Sequence, residues 1–205
     1  MASAVKNYLS SILILLVVTS GSYAQELKNK PKPEAIALNN RASRLNAMHL
    51  PGSKQVDTAL ILLDSALKID NHYAIAYSNM TSIYVERKNY PMAIRTMRKF
   101  EVVEPTNPEL LFYLGIMLEK TGELKKSREK FIKAEALNKL RLNKMNVNDK
   151  HYEDTLINYA GDLIFLNRSA EAEKILTKIL TKNPKQMAAL ALKGKTKEHL
   201  LNEFK

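Results

Sequence analysis

The feature that most constrains this chain is a self-match at a spacing of 34 residues: Ala74 to Asn107 and Pro108 to Arg141 have equal length and superpose without gaps. Tyr77, Met80, Tyr84, Ala93, Met97 and Phe100 of the first stretch stand at the offsets of Leu111, Leu114, Leu118, Ser127, Phe131 and Ala134 of the second. Thr81 and Gly115 also coincide, as small residues at which two helices would cross closely. Within each half the spacing is three or four, the mark of one buried helical stripe. Each stretch therefore predicts two amphipathic helices.

The punctuation agrees. Asn107-Pro108-Glu109 supplies an N-cap, a proline at the first helical position and an acidic first turn. Gly122 is placed to end a first helix with a positive φ, and Pro105 and Pro184 follow second helices that cannot continue through them. A further unit from Glu153 puts Leu156, Tyr159, Ala160, Leu163, Ala172, Leu176, Ile179 and Pro184 at matching offsets. An N-terminal unit carries Leu38, Arg41, Ala42 and Leu45 on its first helix and Ala59, Leu63 and Ala66 on its second, with Pro51-Gly52 in the turn between them. The period is interrupted between Asn138 and Tyr152, where Leu140, Leu142 and Met145 are expected to prolong the preceding helix. Residues 187–205 are expected to form a single solvating helix, which a repeat stack needs at its open end. Only 6 glycines and 7 prolines occur in 205 residues, against averages of about 7% and 5%, which disfavours turn-rich β architectures.

This pattern resembles the tetratricopeptide repeat, whose helix-turn-helix unit places small residues at helix contacts and proline at the unit's end. The resemblance covers about residues 36 to 184. It implies an all-α fold, a right-handed superhelical solenoid of units at about 35–73, 74–107, 108–141 and 153–186 with the cap at 187–205. Departures occur: there is no tryptophan, Asn71 and Lys139 replace the terminal proline, and Ile179 is bulky where Ala134 is small. In such a stack the first helices line a concave binding face. By resemblance, that face includes Asn39 and Ser43, Ser78 and Ser82, Phe112 and Ile116, and Ile157 and Ile164. A groove running from polar to apolar would accept a hydrophobic side chain or an amphipathic helix. The competing expectation is that Phe112, Ile116, Ile157 and Ile164 pack as core. The lysine, arginine and asparagine clamp by which some members bind acidic C-terminal peptides is not matched here.

Residues 1–24 read as an address. Lys6 precedes an apolar run from Leu9 to Val18, and Ser22-Tyr23-Ala24 suits a processing protease acting before Gln25. The run is about ten residues, short of the roughly 20 needed to span a bilayer, so the expectation is a secretory signal peptide, with retention as an anchor as the alternative. Residues 25–33, polar and carrying two prolines, read as a flexible leader to the repeat domain at 34–205. A periplasmic or extracellular protein with no cysteine avoids disulfide exchange, and the same absence excludes thiolate metal sites and thiol catalysis.

Without Lys6 the chain holds 31 Lys/Arg against 21 Asp/Glu, a net charge of +10. Glu119 to Lys150 and Glu173 to Lys205 carry +5 each, so the C-terminal half is the basic one. Such a field would attract an anionic membrane or cell-wall polymer, and Lys193, Lys195 and Lys197 would be part of it. Nucleic acid fits an exported protein poorly. His49, His72, His151 and His199 form no HExxH pair, and no phosphate loop, dinucleotide fingerprint or GxSxG elbow occurs. Asp149, His151, Glu153 and Asp154 cluster at a loop-to-helix junction, where acids commonly cap. The expectation is a non-catalytic scaffold without cofactor or metal, holding another protein or peptide in its groove. Attachment to an anionic envelope surface is the alternative.

Overall fold

The computed structural model describes residues 30–203, and the expected signal peptide and most of the leader that follows it lie outside these residues. Among the described residues there are ten helices and no strand. They divide into two compact units, the boundary falling between Leu110 and Leu111.

The first unit holds α1 (Pro33–Met48), α2 (Lys54–Ile69), α3 (Ala74–Glu86) and α4 (Tyr90–Val103). Pro33 opens α1, a position where the missing N–H costs nothing. The Ser53 hydroxyl accepts from the Val56 amide at the start of α2, and the Asn89 side chain accepts from the Met92 amide at the start of α4. α1 pairs with α2 and α3 with α4, and α3 also packs on α2 and α1, so the two hairpins stack. Alanine dominates the seam: Ala35 and Ala42 of α1, Ala59 and Ala66 of α2 and Ala76 of α3 are all buried, around Leu63 and Met80. Side chains this small let helix backbones approach closely, and the interleaved Leu63 supplies roughly 1.5–3 kcal/mol of burial.

α5 (Pro108–Lys120) starts on the cap that the sequence announces: the Asn107 side chain accepts from the Leu110 amide at 3.0 Å. The second unit continues with α6 (Leu124–Leu142), α7 (Tyr152–Phe165), α8 (Ser169–Lys182), α9 (Met187–Leu192) and α10 (Lys197–Glu203). α7 packs on α6 and on α8, and α9 packs on α8 and α7. At Gly115 the Phe131 ring of α6 comes so close that a Cβ would lie 2.6 Å from it. The small residue there serves a real close approach between α5 and α6.

One reversal recurs at the repeat period. Lys88 (φ 54°), Gly122 (φ 80°) and Asn167 (φ 62°) occupy the left-handed region between the two helices of their hairpins. Around each, three amides bond the same carbonyls in order: Arg87 to Ile83, Lys88 to Val85 and Asn89 to Tyr84; Thr121 to Met117, Gly122 to Glu119 and Glu123 to Leu118; Leu166 to Asp162, Asn167 to Ile164 and Arg168 to Leu163. The orphan carbonyls of the first helix are thereby satisfied in the manner of a Schellman motif. Sequence signals this turn at Gly122 alone.

Two expectations about the later residues are corrected. The interruption after Asn138 prolongs α6 to 19 residues, against 14 in α4, but the helix stops at Leu142. Met145 lies beyond it, its sulfur 3.7 Å from the Thr155 hydroxyl. The single cap helix at 187–205 is instead α9 and α10, separated where Gly194 takes φ 69°. A glycine in that conformation ends a helix.

Candidate functional site

The helical hairpins fix which expected face residues come together. In the first unit, α1 and α3 are the first helices of adjacent pairs. The Asn79 amide of α3 donates to Asn39 Oδ1 at 2.8 Å and to Ser43 Oγ at 3.1 Å, both on α1. Asn39 is buried and Ser43 half-buried, so these two polar side chains are committed to a helix–helix contact. A buried polar group satisfied in this way is stable, whereas an orphaned one costs about 1–3 kcal/mol. Ser78 and Ser82 of α3 are half-buried, and the Ser82 hydroxyl donates to Glu86 Oε1 at 3.3 Å. The polar row on this unit therefore consists of Ser78, Ser82 and the Asn79 bridge. Asn39 is its buried anchor and no open contact residue.

In the second unit the expectation of an apolar open groove is corrected. Ile116 is 0% exposed and Ile157 and Ile164 are each 1% exposed, so all three are core positions. Phe112 is half-buried and meets three rings edge-on: Tyr113 at 5.7 Å, Phe131 at 5.6 Å and Phe165 at 5.0 Å between centroids. Phe131 and Phe165 are themselves 4.9 Å apart. Edge-to-face pairs at these distances add roughly 0.5–1.5 kcal/mol each beyond burial. Phe112 thus belongs to an aromatic cluster built across α5, α6 and α7, over Gly161, whose Cβ would stand 3.6 Å from the Phe112 ring.

Two polar groupings escaped the sequence reading. Arg168 forms a two-pronged pair with Glu171, Nε to Oε1 at 2.6 Å and NH2 to Oε2 at 2.8 Å, and reaches Glu135 of α6 at 3.2 Å. The Tyr159 hydroxyl donates to the same Glu135 oxygen at 3.4 Å. The hydrogen bonds from Arg168 hold the exposed Glu171 carboxyl below its ordinary range, while burial first and then the Glu135 charge push the Tyr159 phenol up. The other grouping is buried: Asn138 of α6 donates to Asp162 Oδ2 of α7 at 2.7 Å. Neither follows from the repeat offsets, because Glu135, Asn138 and Asp162 lie between the apolar positions that define them.

The acidic cluster at 149–154 is dispersed among local tasks. Asp149 accepts from the Asn146 amide, His151 stands 3.8 Å from Asp154, and Glu153 accepts from Gln186 at 3.0 Å. Of the lysines expected to face an anionic surface, Lys193 is exposed, but Lys195 pairs with Glu203 at 2.7 Å and Lys197 with Glu119 at 2.5 Å. Among the described residues no helix is long and apolar enough to cross a membrane.

Within each unit, two-helix hairpins that meet at small residues, three of them reversing through one recurrent turn, make an all-α fold of helical hairpins, as the tetratricopeptide resemblance of the sequence implies. Among solved structures, the chain is similar to the crystal structure of MamA at 18% identity, covering 80% of this chain and 86% of that one with a TM-score of 0.47. It is also similar to a MamA structure from AMB-1 (17% identity, 92% and 98% covered, TM-score 0.43). A further match is YrrB, a TPR protein with an unusual peptide-binding site (20% identity, 83% and 96% covered, TM-score 0.28). No family model matches the sequence, and no curated protein does.

Proposed function

We propose that this chain is a non-catalytic scaffold that holds a partner protein or peptide on the face formed by the first helices, α1 and α3, of the hairpins of its first unit. The observation that carries the reading is the polar row on α3, where Ser78, Asn79 and Ser82 are half-buried, successive on one helix face, and backed by the buried Asn39 on α1. Hydroxyl and amide groups held in place by a satisfied anchor are suited to bonding an extended or helical backbone, and they lose little entropy on doing so. Within the second unit, Phe112 presents the half-buried edge of the aromatic cluster and offers an apolar contact of its own. Ile116, Ile157 and Ile164 support the scaffold from within. The leader pattern at 1–24 supports export to the periplasm or the extracellular space.

Attachment to an anionic surface is a second reading, favoured by the exposed Lys125, Lys133, Lys174 and Lys178 on α6 and α8. It draws no support from Lys195 and Lys197, whose charges are spent on internal partners. The two readings separate in one experiment, affinity capture from envelope extracts at low and at high salt with wild type and with Ser78→Arg/Ser82→Arg. Loss of capture by the folded double variant at both salt concentrations supports the scaffold. Retention by the variant, with release from both proteins by salt, supports the anionic surface and overturns the first reading.

A further inference from the structure

α10 is tied to a helix about 80 positions earlier in the chain. α9 packs on α8 and α7, yet α10, which follows it after four residues, is fastened to the last turn of α5. The Lys197 ammonium pairs with Glu119 Oε1 at 2.5 Å, and the Lys120 ammonium donates to the Leu201 carbonyl at 2.7 Å. Glu119 is tied in turn to α6, since it accepts from the Ser127 hydroxyl at 2.6 Å. Leu200 is 3% exposed and is the one fully buried side chain of α10.

These attachments hold a weak element in a definite place. A helix of seven residues has little stability of its own, because nucleation costs more than so few hydrogen bonds return. Gly194, with φ 69°, gives the connection to α9 a bend, held by its amide bonding Glu173 at 3.1 Å and by the Lys195 amide bonding the Leu192 carbonyl at 3.0 Å. Among the described residues α10 is held by the buried Leu200 beside the half-buried Leu201, by an ion pair whose lysine side chain is 23% exposed, by the local Lys195–Glu203 pair, and by one bond to a carbonyl that the helix itself leaves open near its end. The end of α5 supplies a carboxylate and an ammonium, and a short helix carrying a cation three residues ahead of a buried leucine engages both.

We propose that α10 is an internal occupant of a docking surface at the end of α5, displaced by a partner helix of the same chemistry: a short amphipathic segment with Lys or Arg three residues before a leucine pair. This deepens the scaffold reading and rests on it. α10 then acts as a competing ligand in cis, and the apparent affinity for the partner segment is reduced by the fraction of time the surface is covered.

The test uses the full chain and a fluorescein-labelled peptide of residues 195–203, read by anisotropy. Leu200→Asp, which removes the buried contact of α10, is expected to raise the affinity for the peptide at least tenfold over wild type. Lys197→Glu, which breaks the ion pair at a half-buried position and leaves Leu200 in place, is expected to raise it about threefold or more, and it decides the matter if circular dichroism shows that Leu200→Asp has lost helix. Adding Glu119→Lys to either variant is expected to abolish the gain. Equal affinity for wild type and Lys197→Glu, or a gain that survives Glu119→Lys, would overturn the proposal. The outcome is separable from that of the scaffold reading: capture lost with Ser78→Arg/Ser82→Arg beside an unchanged peptide affinity retains the scaffold and rejects the displaceable helix.

Discussion

Replacing Gly115 by alanine sets two opposed effects against each other at one atom. Within a helix the change should gain about 1 kcal/mol, because glycine loses more backbone freedom on folding. The new Cβ would, however, sit 2.6, 2.9 and 2.9 Å from three atoms of the Phe131 ring, roughly 1 Å inside the ordinary carbon–carbon contact of about 3.5–4.0 Å. The ring is fully buried and cannot retreat toward Phe165, 4.9 Å away, or Phe112, 5.6 Å away. Overpacking costs about 1–3 kcal/mol, and an enclosed ring belongs at the upper end. The balance is a loss of about 2 kcal/mol, or roughly 4–8 °C in Tm for a chain of this size. Gly161→Ala is the internal control. There the Cβ meets Phe112 at an ordinary 3.6 Å, so the helix-propensity gain of up to about 1 kcal/mol should survive. Thermal and urea melts followed by circular dichroism measure both, and Gly115→Ala combined with Phe131→Leu should recover at least about 1 kcal/mol of coupling. A Gly115→Ala protein as stable as wild type, or strict additivity with Phe131→Leu, would refute the reasoning.

The recurrent turn yields a graded series in the same melts: Lys88→Gly should stabilise by about 0.5–1 kcal/mol and Gly122→Ala destabilise by about 1 kcal/mol, since a side chain in the left-handed region is strained. Asn167→Gly should change stability by less than about 0.5 kcal/mol, because asparagine tolerates that region; equal shifts at all three positions would contradict this account. Burial raises the phenols of Tyr73 and Tyr77 above their ordinary value. The unfolded chain then loses these protons first, so the contribution of these two phenols is constant below about pH 10 and falls above it. Tyr77→Phe should flatten that alkaline loss in Tm measured from pH 8 to 11. The lowered Glu171 carboxyl has the opposite sense: its contribution is present above its unfolded pKa and lost as pH falls through the lower folded one. Arg168→Gln, which removes the partner, should therefore narrow the difference in Tm between pH 6 and pH 3, and an undiminished difference would show that the pair is not coupled to folding.

How much of this was readable in advance depended on whether a residue's role repeats. The helical pairs, the Asn107 cap, the positive φ at Gly122 and the close approach at Gly115 all sit at offsets that recur or carry a residue with one evident use. Lys88 and Asn167 adopt the same turn as Gly122 with residues that give no hint of it, because the bonds that hold it are backbone bonds. The face residues fared worse. Ile116, Ile157 and Ile164 lie at positions that the repeat assigns to the inner surface, but tertiary packing encloses them. Phe165 is the reason the aromatic cluster was missed: the residues at its offset in the preceding hairpins are Glu86 and Lys120, so no periodic reading assigns that position a ring. A cap read as one helix leaves no place for the break at Gly194, whose positive φ no repeated offset marks.

The bends at Lys88, Gly122 and Asn167 have a consequence for how such a chain can change. Each returns on itself over carbonyls of its own first helix, whatever side chain projects from the bend. Identity at that point, and at the outward positions beside it, is thus decoupled from architecture. Recognition surfaces can be rewritten one hairpin at a time while the frame that presents them stays as it was.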